Sequence, residues 1–81
     1  VAAVGERADR VVDAVLAAAG PVVVFSHGHF LRVLAARWIG LPAGAGRLLA
    51  LDTATVSVLG WERGTRVVRL WNEACRPGTG A

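Results

Sequence analysis

Two histidines, a serine and a glycine stand together at Ser26-His27-Gly28-His29. An imidazole can donate a hydrogen bond or carry a positive charge near neutral pH, and a glycine lets a ligand approach the backbone closely. The flanking residues give the grouping a place in a fold. Val22-Val23-Val24-Phe25 precedes it as an unbroken apolar run, and Phe30, Val33, Leu34, Trp38 and Ile39 follow at helical spacing. The four residues therefore join a strand end to a helix start. Open α/β sheets carry their ligand crevice at the carboxyl ends of the strands. There the amides of Gly28, His29 and Phe30 are the unsatisfied donors of a helix amino end, at the positive end of its dipole. The chemistry this arrangement offers is the holding of a phosphate or a similar anion.

Local chemistry leaves two readings of His27 open: a helix cap or hydrogen-bonded core residue, and a ligand of that anion. His29 is expected to line the mouth of the site or to face solvent. Ser26 is expected to fix the loop through a backbone hydrogen bond, because no strand-turn-helix with glycine on both sides of the serine makes it a nucleophile. Arg32, three residues into the helix, can reach back to the anion or pair with a carboxylate, and Arg37 places a favourable charge near the helix end. His27 and His29 alone are too few for a zinc site, so no metal and no cofactor are expected. Cys75 has no basic partner nearby in sequence and is not expected to act as a nucleophile.

The elements that must position these residues follow from periodicity. Val4, Ala8, Val11, Val12, Val15, Leu16 and Ala19 recur at spacings of three and four, with Glu6, Asp9, Arg10 and Asp13 opposite, which predicts an amphipathic helix over about 3–19. Glu6 and Arg10 have the spacing of an i,i+4 ion pair. Gly20 and Pro21 are expected to stop that helix. The run 22–25 has no polar alternate on either face, so it reads as a strand covered on both sides, the habit of parallel sheets. The second helix is expected to end at Gly40-Leu41-Pro42, followed by a small-residue loop over 43–46. A partial period of two up to Val58, a turn at Glu62-Arg63-Gly64 and a second run from Thr65 to Trp71 predict a β-hairpin flanked by Trp61 and Trp71. Residues after it, with Pro77, Gly78 and Gly80, have no periodicity and are expected to form a mobile tail. The fold class is α/β: helix, buried strand, helix and terminal β-hairpin.

Composition narrows the function. Eighty-one residues permit one small domain or part of a larger one. The chain is 54 % hydrophobic, more apolar material than a domain this small can hide. The single cysteine allows no internal disulfide and fits a reducing compartment, so a cytoplasmic location is expected. Ala14 to Leu31 is uncharged but is broken by glycine, proline and the polar cluster, so no membrane segment is expected. Nine arginines give a net charge of +3, yet they are scattered and accompany no nucleic-acid motif, so nucleic acid is not an expected partner. No methionine, cap or lead-in precedes the first helix, and residues upstream of Val1 are expected.

The stretch Val22-Val23-Val24-Phe25-Ser26-His27-Gly28-His29-Phe30-Leu31-Arg32-Val33-Leu34, with Gly40-Leu41-Pro42 after it, resembles the second half of the histidine phosphatase, or phosphoglycerate mutase-like, superfamily. Leu51 to Leu59 resembles that family's next strand, Asn72 the asparagine closing the second hairpin strand, and Arg7 with its helix the lead-in to the Ser-His-Gly strand. The resemblance covers about residues 4–73. It implies a mixed-sheet, three-layer sandwich of which residues 1–73 are the carboxyl-terminal part, truncated at the amino end, and 74–81 a tail.

The resemblance also implies phosphoryl transfer through a phosphohistidine. His27 would be the second pocket histidine, binding the transferring phosphoryl oxygens with the Gly28 amide alongside, and Ser26, His29 and Arg32 would be its neighbours. The family's nucleophilic Arg-His-Gly motif and its acid are not in this sequence. The expected function is a phosphomonoester phosphatase, with the 81 residues alone inactive. The alternatives are mutase-type transfer and a non-catalytic phospho-ligand-binding or assembly module. Expected partners are a phosphorylated small molecule and either the upstream part of the same domain or another copy. His29, where a small residue is common, and Asp52-Thr53, in place of Asn-Ala or Asn-Ser, depart from the family pattern.

Overall fold

A computed structural model describes residues 2–18 and 20–74. Ala19 and residues 75–81 lie outside the described residues, and with them Cys75 and all of the predicted 74–81 tail except Ala74, which is the last residue of a strand and not tail. The chain runs through helix α1 (Ala2–Ala17), helix α2 (Gly28–Trp38), a 3-10 helix (Ala43–Leu48) and strands β1 (Thr55–Glu62) and β2 (Thr65–Ala74). The strands form a two-stranded antiparallel sheet. Among the described residues, no helix is long and apolar enough to cross a membrane.

The core is built where the two amphipathic helices face each other. Ala8 and Val12 of α1 pack against Phe30, Val33, Leu34 and Trp38 of α2, with Val4, Val11 and Val15 at the edge. These are the apolar positions at spacings of three and four. Helix α1 ends at Ala17, earlier than the Gly20-Pro21 signal, in a tight turn that joins the Ala18 N–H to the Val15 carbonyl at 3.1 Å. Helix α2 ends as its sequence predicts. Gly40 takes a φ of +83°. Around it the Leu41 N–H bonds the Ala36 carbonyl at 2.8 Å and the Gly40 N–H bonds the Arg37 carbonyl at 3.2 Å, the double closure of a Schellman motif.

The ion pair formed among the described residues is Asp9–Arg37, not the expected Glu6–Arg10 pair. Arg37 grips the carboxylate through two nitrogens, at 2.7 and 3.3 Å, and holds the Leu41 carbonyl with the third at 3.1 Å. The fork matches a planar carboxylate and one carbonyl just past the helix end together. The hydrogen bond to Asp9, and then its charge, raise the Arg37 pKa above the ordinary value.

The expected buried strand over 22–25 is not formed. These residues join no ladder, and Val22, Val23 and Phe25 are exposed, Phe25 to 91 %. A strand covered on both faces needs neighbouring strands, and β1 and β2 pair with each other. Val24 alone reaches the edge of the core.

The predicted loop over 43–46 is instead the first part of the 3-10 helix, pressed against α2. Arg32 holds it there by donating to the carbonyls of Gly46, at 3.2 Å, and Arg47, at 3.0 Å. The approach is close enough that a Cβ on Gly46 would lie 3.0–3.1 Å from the backbone of Arg32 and Val33.

The hairpin turns at Arg63 and Gly64, both with positive φ, as its twist requires. Its register slips twice, with the extra residue on β2 each time, once between Leu70 and Glu73 and once between Val68 and Leu70. Asn72 sits in the first bulge with a φ of 60°, a conformation asparagine tolerates. Its side chain accepts from the Asp52 N–H at 2.8 Å and donates to the Asp52 carboxylate at 3.0 Å, while its own N–H bonds Ser57 Oγ at 2.9 Å. Strand β2 thus runs three residues past the predicted Trp71, to the end of the described chain.

Close approach at Gly46 makes a test. Gly46→Ala forces Cβ into helix backbone and is expected to destabilise the chain by about 1–3 kcal/mol. Gly44→Ala, where a Cβ meets nothing within 4 Å, is expected to be neutral or stabilising by up to about 1 kcal/mol. Denaturant midpoints of the two variants check this; equal midpoints would contradict the packing.

Candidate functional site

Helix α2 begins at Gly28, with His27 as the residue immediately before it. His27 has extended φ and ψ of −72° and 151°, and its carbonyl accepts the Leu31 N–H at 3.1 Å, closing the first turn. Its imidazole makes no capping hydrogen bond. The cap reading of the side chain therefore fails, and so does the core reading, because His27 is exposed. The amides of the first turn belong to Gly28, His29 and Phe30, which have no carbonyl one turn back to receive them.

Gly28 is not explained by packing. A Cβ there would meet nothing within 4 Å, and the backbone is not in the left-handed region. Phe30 is where the fold takes hold of the helix start: it is buried, and the Arg7 guanidinium lies over its ring, 5.2 Å from the centroid. Ser26, His27, Gly28 and His29 are all exposed next to this fixed point.

The remaining sequence-predicted residues separate. Ser26 lines a groove of about 510 Å³ between α1 and the 22–26 segment, with Arg7, Arg10 and apolar side chains. Its expected bond to the backbone is not among those formed by the described residues. His29 lines a different cleft, of about 250 Å³, between α2 and the 3-10 helix. Arg32 lines that cleft too. It takes neither of the two expected roles here, since its guanidinium is turned to the carbonyls of Gly46 and Arg47.

Arg47 completes the cleft and was not singled out by the sequence. The Arg residues are scattered along the chain, and only the 3-10 helix brings this one beside His29. Among the described residues, no three His, Cys, Asp or Glu side chains gather as a metal site would require.

The site's chemistry is thus a row of free N–H donors, a glycine with open space over it and an unspent imidazole. Such a place can accept an anion and stabilise charge building on its oxygens.

Comparisons with known proteins give matches over most of the chain. The model of the histidine phosphatase superfamily (branch 1) matches residues 1–74. A protein of Mycobacterium tuberculosis named as an acid phosphatase is 40 % identical over 68 residues, which cover 82 % of this chain and 34 % of that protein. The 2.2 Å structure of the product of a Mycobacterium tuberculosis open reading frame superposes with a TM-score of 0.87 at 35 % identity, over 90 % of this chain and 39 % of that one. The chain thus spans about a third of the length of the curated relative it matches. The likeness in structure makes the helices and hairpin part of a phosphoglycerate mutase-like α/β sandwich.

The placement of Arg32 predicts a structural role. Arg32→Ala is expected to lower stability by about 1–2 kcal/mol through its two lost bonds, without changing phosphate affinity at the α2 start. Denaturation and a phosphate titration followed at the amides of Gly28 and His29 check both parts.

Proposed function

The chain belongs to the histidine phosphatase superfamily (branch 1), and from that membership we propose that it supplies the phosphate-binding part of a phosphomonoesterase site, with His27 and Gly28 as ligands. The observation that carries this is the state of His27. It stands at the start of α2, exposed, with an imidazole that neither caps the helix nor packs in the core. Gly28 adds to it, because a glycine with open space above it leaves the backbone free for a ligand oxygen.

In the proposed reaction a histidine from another part of the domain attacks the phosphorus of a monoester. The ester P–O bond breaks, the leaving oxygen takes a proton from a carboxylic acid, and water then cleaves the phosphohistidine to release phosphate. During each transfer, negative charge spreads over the equatorial oxygens. His27 and the amides at the α2 start would donate to those oxygens, from positions fixed before the reaction, which is why they would favour the transition state over water. Residues 1–73 would be the carboxyl-terminal part of the domain, and the segment bearing the nucleophile would complete the site. The substrate would be a phosphorylated small molecule in a reducing, cytoplasmic compartment. Hydrolysis is preferred to mutase-type transfer because the similar Mycobacterium tuberculosis protein is named as an acid phosphatase.

The test is His27→Ala in the whole protein carrying these residues, assayed on a phosphate monoester. His27 is exposed, so the variant should fold. A fall in kcat/KM of about 10²–10³ is expected, the loss on removing one oxyanion donor. Wild-type rates in a folded His27→Ala variant would overturn the assignment.

A further inference from the structure

Helix α2 is seated by two aromatic side chains, one near each end, and each lies under an arginine from another element. Arg66 of β2 covers Trp38 at 5.1 Å from the ring centroid, and Arg7 of α1 covers Phe30 at 5.2 Å. The two anchors are not equivalent. The Trp38 indole N–H is bonded to the Gly60 carbonyl, which fixes its direction. Phe30 has no polar atom, so its ring is held by the apolar cluster it shares with Ala8 and Val12 and by the cation over its face.

Phe30 belongs to the first turn of α2, which closes where the Leu31 N–H meets the His27 carbonyl at 3.1 Å. The direction of the Gly28 and His29 amides therefore follows the seat of the Phe30 ring. Ser26 to His29 are exposed and offer no second hold, and Val24, before them, reaches only the edge of the core. Arg7 is exposed, and the ion pair formed among the described residues joins Asp9 to Arg37 and leaves Arg7 out.

We propose that Arg7 is a positioning residue of the phosphate site: by stacking on Phe30 it holds the first turn of α2 in the direction from which the Gly28 and His29 amides meet developing charge. This rests on the phosphatase reading and extends the site to α1. The competing role for this cation is direct attraction of the anion, since Arg7 lines the same groove as Ser26. The two roles move different quantities. Donors that point wrongly lose stabilisation of the transition state and lower kcat, whereas an attracting charge acts on bound substrate and transition state alike and shows in KM.

In the whole protein, Arg7→Ala should lower kcat on a phosphate monoester about three- to tenfold, the range one cation–π contact can carry. KM and the affinity for inorganic phosphate should stay within about twofold of wild type. Arg7→Lys, which keeps a cation over the ring, should restore kcat, and Arg7→Gln should not. Phe30→Leu removes the ring, so Arg7→Ala added to it should cost nothing further. Unchanged kcat in Arg7→Ala, a loss carried by KM and phosphate affinity, or a loss that persists in full beside Phe30→Leu would overturn the assignment.

Backbone relaxation of the Gly28 and His29 amides gives a readout that needs no turnover. Their order parameters should fall in Arg7→Ala and Phe30→Leu and return in Arg7→Lys. If the wild-type protein hydrolyses no ester, the phosphatase reading fails and this measurement decides alone. Equal order in the wild type and Arg7→Ala would overturn the positioning role.

Discussion

The Trp38 indole is buried between the helices and the hairpin, and its N–H donates to the Gly60 carbonyl at 3.1 Å. Trp61 meets it edge-on, with ring centroids 4.9 Å apart, and the Arg66 guanidinium covers its face at 5.1 Å. A buried indole donor left without a partner would cost about 1–3 kcal/mol, so the bond fixes where the end of α2 lies against the sheet. The other restraints on α2 act from residue 30 onward. Arg37 clamps it to α1 through Asp9, Arg32 clamps it to the 3-10 helix, and Phe30 seats the first turn in the core. The fold holds the helix from its middle and its carboxyl end, and leaves its amino end open.

That division of labour is what a binding site at a helix start requires. Donors that must meet developing charge are useful only if they need not move to do so, and rigid support placed behind them supplies this. The exposed row from Ser26 to His29 is therefore not loose surface. It is the uncommitted end of an element whose every other turn is committed. The same arrangement occupies Arg32 away from the α2 start: it is spent on joining α2 to the segment that forms the neighbouring cleft.

Much of this was legible in the residues. The spacing of Val4, Ala8, Val11 and Val12, and of Phe30, Val33, Leu34 and Trp38, defines both helices, because a buried stripe at three and four is a local property of the chain. Gly40 and Arg63-Gly64 mark their turns because positive φ leaves few choices of residue. What could not be read depended on distance. Asp9 and Arg37 are 28 residues apart and pair only once the helices have packed, so the nearer Glu6–Arg10 spacing misled. The 3-10 helix over Ala43–Leu48 consists largely of alanine and glycine and carries no period, so neither it nor Arg47's position beside His29 announced itself. Both hairpin bulges depend on pairing across strands, which no local spacing shows. The run Val22–Phe25 taught the opposite lesson. Its composition describes a strand with neighbours on both sides, and the described residues contain none to pair with it.

A crystal structure of the whole protein with orthovanadate tests the central claim most directly, since vanadate takes the geometry of a phosphoryl group in transfer. The account predicts equatorial oxygens within about 2.7–3.1 Å of the His27 imidazole and the Gly28 amide. Vanadate bound elsewhere in the protein, with the His27 ring turned away and the α2 start empty, would contradict it.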